Sequence, residues 1–452
     1  MDPVVIGALV AYALALLLLG ARSRTRGRLE YLLAGRRLTT APFVATLVAT
    51  WYGGVLGVGE YSYRFGISNW LVMGVPYYLA ALAFAFLFAR RARASAALSI
   101  PDQLKEAYGP AAGRVGALLV LLMAVPAAYV LMLGDLLGIY LGVPLLAAMV
   151  LGTAFTILYV VAGGFRSVVS TNVLQFVLMY LAFLVVLPVA LHRAGGLGAV
   201  WAALPEASRR WDGGLGVQAV VVWYFIAMQT LVEPTFYQRC YAAESPAVAR
   251  RGVLISVAFW VLFDFLTTFS GLAARALMPD LADPVLSYPE LGRLVLPPAA
   301  NALFAVGLFA TVMSTAHSYL FLAAATVGHD VAPGLAARVD ERRWTIAGLV
   351  LVGAAAVALA MALRSVVAIW HDVGSIATSA LLLPVAFAQG PEHLRFRPRW
   401  AVAAIALTAL VATVWILARE AGRYPLGLEP IFPALVTSAA LWVAGRRRRV
   451  VR

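Results

Sequence analysis

The chain has 452 residues, of which 63% are hydrophobic and 12% charged, and its mean hydropathy is +0.88. That composition excludes an ordinary soluble domain and predicts an all-α, polytopic integral membrane protein. The net charge of +14 would suit a nucleic-acid partner, but the charge is gathered between apolar segments in a way that fits a bilayer instead.

Thirteen apolar spans are predicted, near residues 4–20, 41–66, 69–89, 115–141, 144–163, 168–191, 215–238, 252–276, 299–327, 344–363, 366–388, 400–418 and 427–444. Alternate loops and the C-terminal tail hold 26 of the 35 basic residues, among them Arg22, Arg24, Arg26, Arg28, Arg36 and Arg37, Arg239, Arg338, and Arg446 to Arg449 with Arg452. The positive-inside rule then predicts a cell (inner) membrane protein with its N-terminus outside and its C-terminus cytoplasmic. The basic tail suits anionic lipid. The expected partners are the lipid bilayer and a small-molecule substrate, with no nucleic acid; nothing in the sequence marks an oligomeric state. The first span is expected to persist rather than be cleaved, because Met1-Asp2-Pro3 lacks the positive charge of a signal peptide. Cys240 is the single cysteine, which excludes an intramolecular disulfide.

The second span departs from a plain membrane helix. Ala49 to Gly66 reads ATWYGGVLGVGEYSYRFG, with Gly53, Gly54, Gly57 and Gly59 each weakening a helix by about 1 kcal/mol relative to Ala. It also carries Glu60, which is expensive in lipid. The span is therefore predicted to be discontinuous, as backbone at membrane depth can be where it packs in protein or lines a wet cavity. Tyr61, Tyr63, Trp70, Tyr77 and Tyr78 cluster around this hairpin, and Trp223, Tyr224 and Phe236 flank a second expected break in the seventh span. Two or three of these eight aromatics are expected to line a cavity, with Tyr61 and Trp223 among the candidates.

The second break is placed at Glu233-Pro234, since proline removes an N–H and frees a carbonyl one turn back. Glu233 is the strongest substrate-binding candidate among the intramembrane acids Glu60, Asp135, Glu233 and Asp264. Gln229, one turn earlier, shares its face. Asp264 is read equally as a ligand or as half of a salt bridge, whereas Asp135 and Glu60 lie near the outer ends. In the ninth span, Thr311, Ser314, Thr315 and Ser318 fall three and four residues apart and form one polar stripe; such hydroxyls also bond back to helical carbonyls.

Several motifs occur in a telling order. Tyr31-Leu32-Leu33-Ala34-Gly35-Arg36 leads into the second span, and Ile100-Pro101-Asp102-Gln103-Leu104 precedes Tyr108-Gly109. Gly163-Gly164-Phe165-Arg166 runs into Thr171-Asn172-Val173-Leu174-Gln175, Tyr237-Gln238-Arg239 precedes Ala242-Ala243, and Met313-Ser314-Thr315-Ala316-His317-Ser318 closes the series. In these pieces, over about residues 31 to 330, the chain resembles the sodium:solute symporter family. The resemblance implies a LeuT-like fold of two five-helix repeats, inverted because each holds an odd number of spans, with the first helix of each repeat discontinuous. Residues 41–191 would form the first repeat and 215–388 the second; 1–40 would add an N-terminal helix and basic loop, and 399–452 two peripheral helices and a basic tail.

The resemblance further implies sodium-coupled secondary active symport of a small polar organic solute by alternating access. Na+ is then the coupling ion, with no organic cofactor, bound by the carbonyls of Ala49, Tyr52 and Thr311 and the hydroxyls of Ser314 and Thr315. Two departures stand out: His317 follows Ser-Thr-Ala where the family commonly has an acid, and Asn172 replaces a common aspartate. Both weaken the case for a second sodium site, and His317 leaves proton coupling as an alternative. A solute sensor with little transport is the other alternative, although sensor relatives usually carry a signalling domain after the last helix and this chain stops seven residues past Gly445. An enzyme is not expected, since no His-rich metal cluster, nucleophile with base, or phosphate loop occurs. The acids lean toward an amine-bearing or cationic solute.

Overall fold

Local chemistry starts the first helix: Pro3 opens it and the Asp2 carboxylate accepts the Val4 N–H, so α1 runs Pro3–Arg22. The computed structural model describes residues 2–25, 27–334, 340–420 and 423–447; Arg26, Arg338, Arg448, Arg449 and Arg452 of the basic set lie outside these. The longer helices that follow are α2 (Thr40–Trp51), α3 (Val55–Phe65), α4 (Val75–Leu87), α5 (Pro110–Ala124), α6 (Ala127–Leu141), α7 (Leu145–Val160) and α8 (Phe165–Arg193). Then come α9 (Val217–Ile226), α10 (Pro234–Ala242), α11 (Pro246–Leu277), α12 (Pro298–Thr326), α13 (Glu341–Leu363), α14 (Val366–Ala388), α15 (Pro398–Leu417) and α16 (Ile431–Gly445). No strand occurs among the described residues.

Among the described residues, ten helical segments are long and apolar enough to cross a bilayer, the bent pair α2–α3 makes an eleventh, and α7 and α16 are shorter apolar helices. With 16 and 15 residues, these two extend only about 23 Å at 1.5 Å per residue, against a hydrocarbon core of about 30 Å. They are the two on which a count of thirteen depends. Apolar side chains face outward in long rows, as with Leu14 and Leu18 on α1, Leu151 and Leu158 on α7, and Val350 and Leu351 on α13. An exterior of that kind is stable against lipid rather than water.

Among the described residues three spans are interrupted. α2 and α3 meet at Tyr52–Gly54 with a bend of 55°. α9 passes through a tight turn at Ala227–Val232 and an extended Glu233 before Pro234 restarts the helix as α10. The third interruption departs from the sequence expectation of one continuous span over 115–141: α5 ends where Val125 turns extended, and Pro126 has no N–H with which to continue it. At the centre lies α12, the most buried of the spans, packed against α1, α2, α5, α6, α8 and α13.

Candidate functional site

The first break is closed by hydroxyls of α12. Ser314 Oγ lies 2.8 Å from the Ala49 carbonyl and 2.7 Å from that of Thr311. Thr315 Oγ1 lies 2.6 Å from the Thr50 carbonyl and 3.3 Å from that of Ala49. Thr311 Oγ1 instead turns back to the Gly307 carbonyl at 2.7 Å, so this residue offers the site its carbonyl alone. Tyr52 terminates α2 beside this group. The approach is possible only because position 53 has no side chain: a Cβ there would stand 2.0 Å from Thr315 Oγ1. Four of the five expected ion-binding residues thus meet, across more than 260 positions of sequence, as a compact set of neutral oxygens with no carboxylate. That donor set fits a monovalent hard cation.

A cavity of about 130 Å3 opens beside the break. One water needs about 10–15 Å3 by this measure, so a solute of roughly ten heavy atoms is the scale. Asp264 lines it, its two carboxylate oxygens accepting the hydroxyls of Tyr52 and Tyr78, and Tyr52 lies 2.9 Å from Thr267 Oγ1 as well. Of the two readings of Asp264 from sequence, ligand or half of a salt bridge, the second is not met among the described residues, where two tyrosines take the place of a cation. Gln229 also lines the cavity and donates its amide to Glu233 Oε2 at 3.3 Å. Glu233 is fully buried beneath the lining and caps α10, accepting the Thr235 N–H at 3.3 Å and the Thr235 hydroxyl at 3.2 Å on Oε1.

Other sequence candidates fall elsewhere. Of the eight clustered aromatics, Tyr77 and Tyr78 line the cavity. Tyr61 and Trp223 pack instead in a separate apolar cluster with Val72, Val220 and Ile226. Glu60 pairs with Arg64 at 3.1 Å, and Asp135 is half-buried on α6. His317 is fully buried, its Nδ1 2.7 Å from the Tyr159 hydroxyl of α7, and it makes no bond to the carbonyls of the first break. His329, outside this site, has its Nε2 2.9 Å from Asp102 and its Nδ1 2.8 Å from Glu341. Burial pushes the Asp102 carboxyl up, but the hydrogen bond and charge of His329 outweigh it and hold the group below its ordinary range.

One buried polar cluster beside the first break escaped the sequence reading. Arg239, counted there among loop arginines, is fully buried because α10 continues to Ala242. Its guanidinium donates to Thr50 Oγ1 at 2.7 Å, Ser318 Oγ at 3.1 Å and Thr46 Oγ1 at 3.3 Å, and stands 5.2 Å over the Phe165 ring. Asn172 Nδ2 donates to the same three hydroxyls at 3.1, 3.2 and 2.7 Å. The available signal was Thr46 and Thr50, one turn apart on α2. Arg239 thereby ties the spans of the first break and the Glu233 break to α12, directly behind the carbonyls of the first break.

Comparison with known proteins follows the same lines. The sequence model of the sodium:solute symporter family matches residues 31–389. The sodium/pantothenate symporter of Escherichia coli (strain K12) is 25% identical over 98% of this chain and 95% of its own length. The high-affinity choline transporter 1 of Caenorhabditis elegans is 23% identical over 76% of this chain and 64% of its own length. The substrate-bound, outward-open structure of a Na+-coupled sialic acid symporter superposes with a TM-score of 0.82 at 13% identity, covering 99% of each chain. At that identity the likeness shows a shared fold, the LeuT-like transporter fold expected from the motifs.

Proposed function

Because the chain belongs to the sodium:solute symporter family, we propose that it is a sodium-coupled symporter of a small, amine-bearing or otherwise cationic solute, working by alternating access. The observation that carries this is the convergence of the Ser314 and Thr315 hydroxyls on the Ala49 and Thr50 carbonyls at the first break. We assign Na+ to the carbonyls of Ala49, Tyr52 and Thr311 and the hydroxyls of Ser314 and Thr315. The relatives' own names point to unlike solutes, so the lean to a cation rests on Asp264 in the cavity and Glu233 beneath it. Proton coupling through His317 is the poorer reading, since its ring is fully buried and held by Tyr159. A broken helix near the start of residues 41–191 and another near the start of 215–388 support these segments as the two five-span repeats.

The test is sodium-dependent stabilisation of the purified protein. A ligand at 100 times its dissociation constant stabilises by about 2.7 kcal/mol, so sodium should raise the melting temperature saturably where potassium at equal ionic strength does not. Equal responses to the two ions would count against the assignment. Gly53→Ala probes the geometry: the new Cβ overlaps Thr315, and relieving such overpacking costs about 1–3 kcal/mol. Sodium affinity should fall about tenfold or more, and an unchanged titration would show that the close approach is irrelevant to the ion. Orientation is proposed as N-terminus outside and C-terminus cytoplasmic in the cell membrane. A fluorescent reporter fused after Arg452 should mature inside the cell, and a reporter reachable only from outside would reverse the assignment.

A further inference from the structure

The cavity is electrostatically one-sided. Trp51, Trp260, Trp370, Tyr77, Tyr129 and Tyr319 all line it. They form two linked groups: Trp51 stacks edgewise on Tyr77 at 5.5 Å and lies 6.0 Å from Trp260, while Tyr129 lies 5.3 Å from Tyr319 and 6.3 Å from Trp370. Trp370 reaches this position because position 54 is glycine; a Cβ there would stand 2.1 Å from the indole ring. Aromatic faces carry the negative pole of the ring quadrupole. Asp264 adds a carboxylate, and no Lys, Arg or His is among the lining residues. Neither Asp264 nor Glu233 forms an ion pair among the described residues. The nearby Arg239 bonds only neutral groups, the hydroxyls of Thr46, Thr50 and Ser318 among them, so its charge stands against that of Glu233 and leaves Asp264 as the charge in the wall. An anionic solute would enter this cavity against its field.

The balance of rings against acceptors narrows the cation. Each oxygen of Asp264 accepts one tyrosine hydroxyl and keeps a further lone-pair site, and Gln229 gives its N–H to Glu233 and keeps its carbonyl oxygen. A primary ammonium would spend its three N–H donors on those few acceptors and leave the six rings unused, and a polyol brings several hydroxyls more. An alkylated ammonium asks for no acceptor at all and gains from exposed aromatic faces. We propose that the solute carries a fully alkylated ammonium group, held among these rings with Asp264 as its counter-charge. The inference rests on the symporter reading for the movement of the solute, not for its binding. Elsewhere on the solute, a hydroxyl or a carboxylate has two donors to meet: the indole N–H groups of Trp260 and Trp370 are buried without an acceptor.

The experiment titrates the purified full-length protein, in sodium and in potassium buffer, with choline, glycine betaine and tetramethylammonium. Ethanolamine and glycine serve as unmethylated counterparts, and myo-inositol and pantothenate as a polyol and an anion. At least one methylated probe should bind saturably, and about tenfold or more tighter than its unmethylated counterpart. Choline against betaine then identifies the second polar group. Trp51→Phe, which keeps an apolar ring of lower cation affinity, should weaken that binding several-fold. Failure of all three methylated probes to bind, or equal binding of methylated and unmethylated partners, overturns the assignment whatever the variants do. Saturable binding of a methylated probe that is indifferent to sodium sustains it and overturns the symport reading instead.

Discussion

Replacing Ser314 and Thr315 together by Ala is expected to lower the apparent sodium affinity by about two to four orders of magnitude, at roughly 1.5–3 kcal/mol for each charge-assisted oxygen contact. The two hydroxyls lie within 3.3 Å of the Ala49 and Thr50 carbonyls, and on the proposed assignment they supply two oxygens to a site of five. Both changes remove atoms and add none, and α12 keeps its packing against α8 and α1. Solute affinity should fall as well, but only in sodium, because the coupling between two bound ligands is reciprocal. In sodium-free buffer the variant and the parent should bind solute alike. A sodium titration of solute binding in both proteins checks this; a solute affinity equally reduced with and without sodium would assign the hydroxyls to the solute or to folding.

Glu233→Gln is expected to reduce uptake by about ten- to a hundredfold in a protein that still folds. Three donors converge on the Glu233 carboxylate, namely the N–H and hydroxyl of Thr235 and the side-chain amide of Gln229. Glutamine presents one acceptor oxygen and one NH2, so at least one of those donors faces another donor. Hydrogen bonds to charged groups are worth about 1.5–3 kcal/mol each, and this one fixes the start of α10, hence the shape of the second break. Gln229 loses its partner at the same time, and Gln229 is in the cavity wall. Transport kinetics unchanged from the parent would remove Glu233 from the working site.

The spans were legible because a bilayer demands long apolar helices, and the first break because four glycines and an acid cannot make a stable lipid-facing one. Glu233-Pro234 marked the second break for an equally local reason. The interruption at Val125–Pro126 was missed although a proline marked it, because the apolar run continues unbroken through it. The oxygens assigned to the ion were legible only through the family motifs, since Ser314 and Thr315 bonded back along their own helix would look the same in sequence. The cavity wall was legible only in part, in Gln229, Asp264, Tyr77 and Tyr78. Trp260, Tyr319 and Trp370 lie far apart on α11, α12 and α14, and nothing local distinguishes them from aromatics such as Trp223 that pack in an apolar cluster. Arg239 was misplaced for want of a few residues in the length of one helix, which is the resolution at which periodicity fixes an end.

Sodium coupling through the first break is tested most directly by a sodium titration of tryptophan fluorescence in the purified protein. Trp51 adjoins the break and packs on Trp260, so it reports on the site. At constant pH, with potassium holding the ionic strength, the parent should show a saturable change that disappears in the Ser314→Ala, Thr315→Ala double variant and survives His317→Gln. A sodium response identical in the parent and the double variant, or a response only to pH that His317→Gln abolishes, would contradict the account.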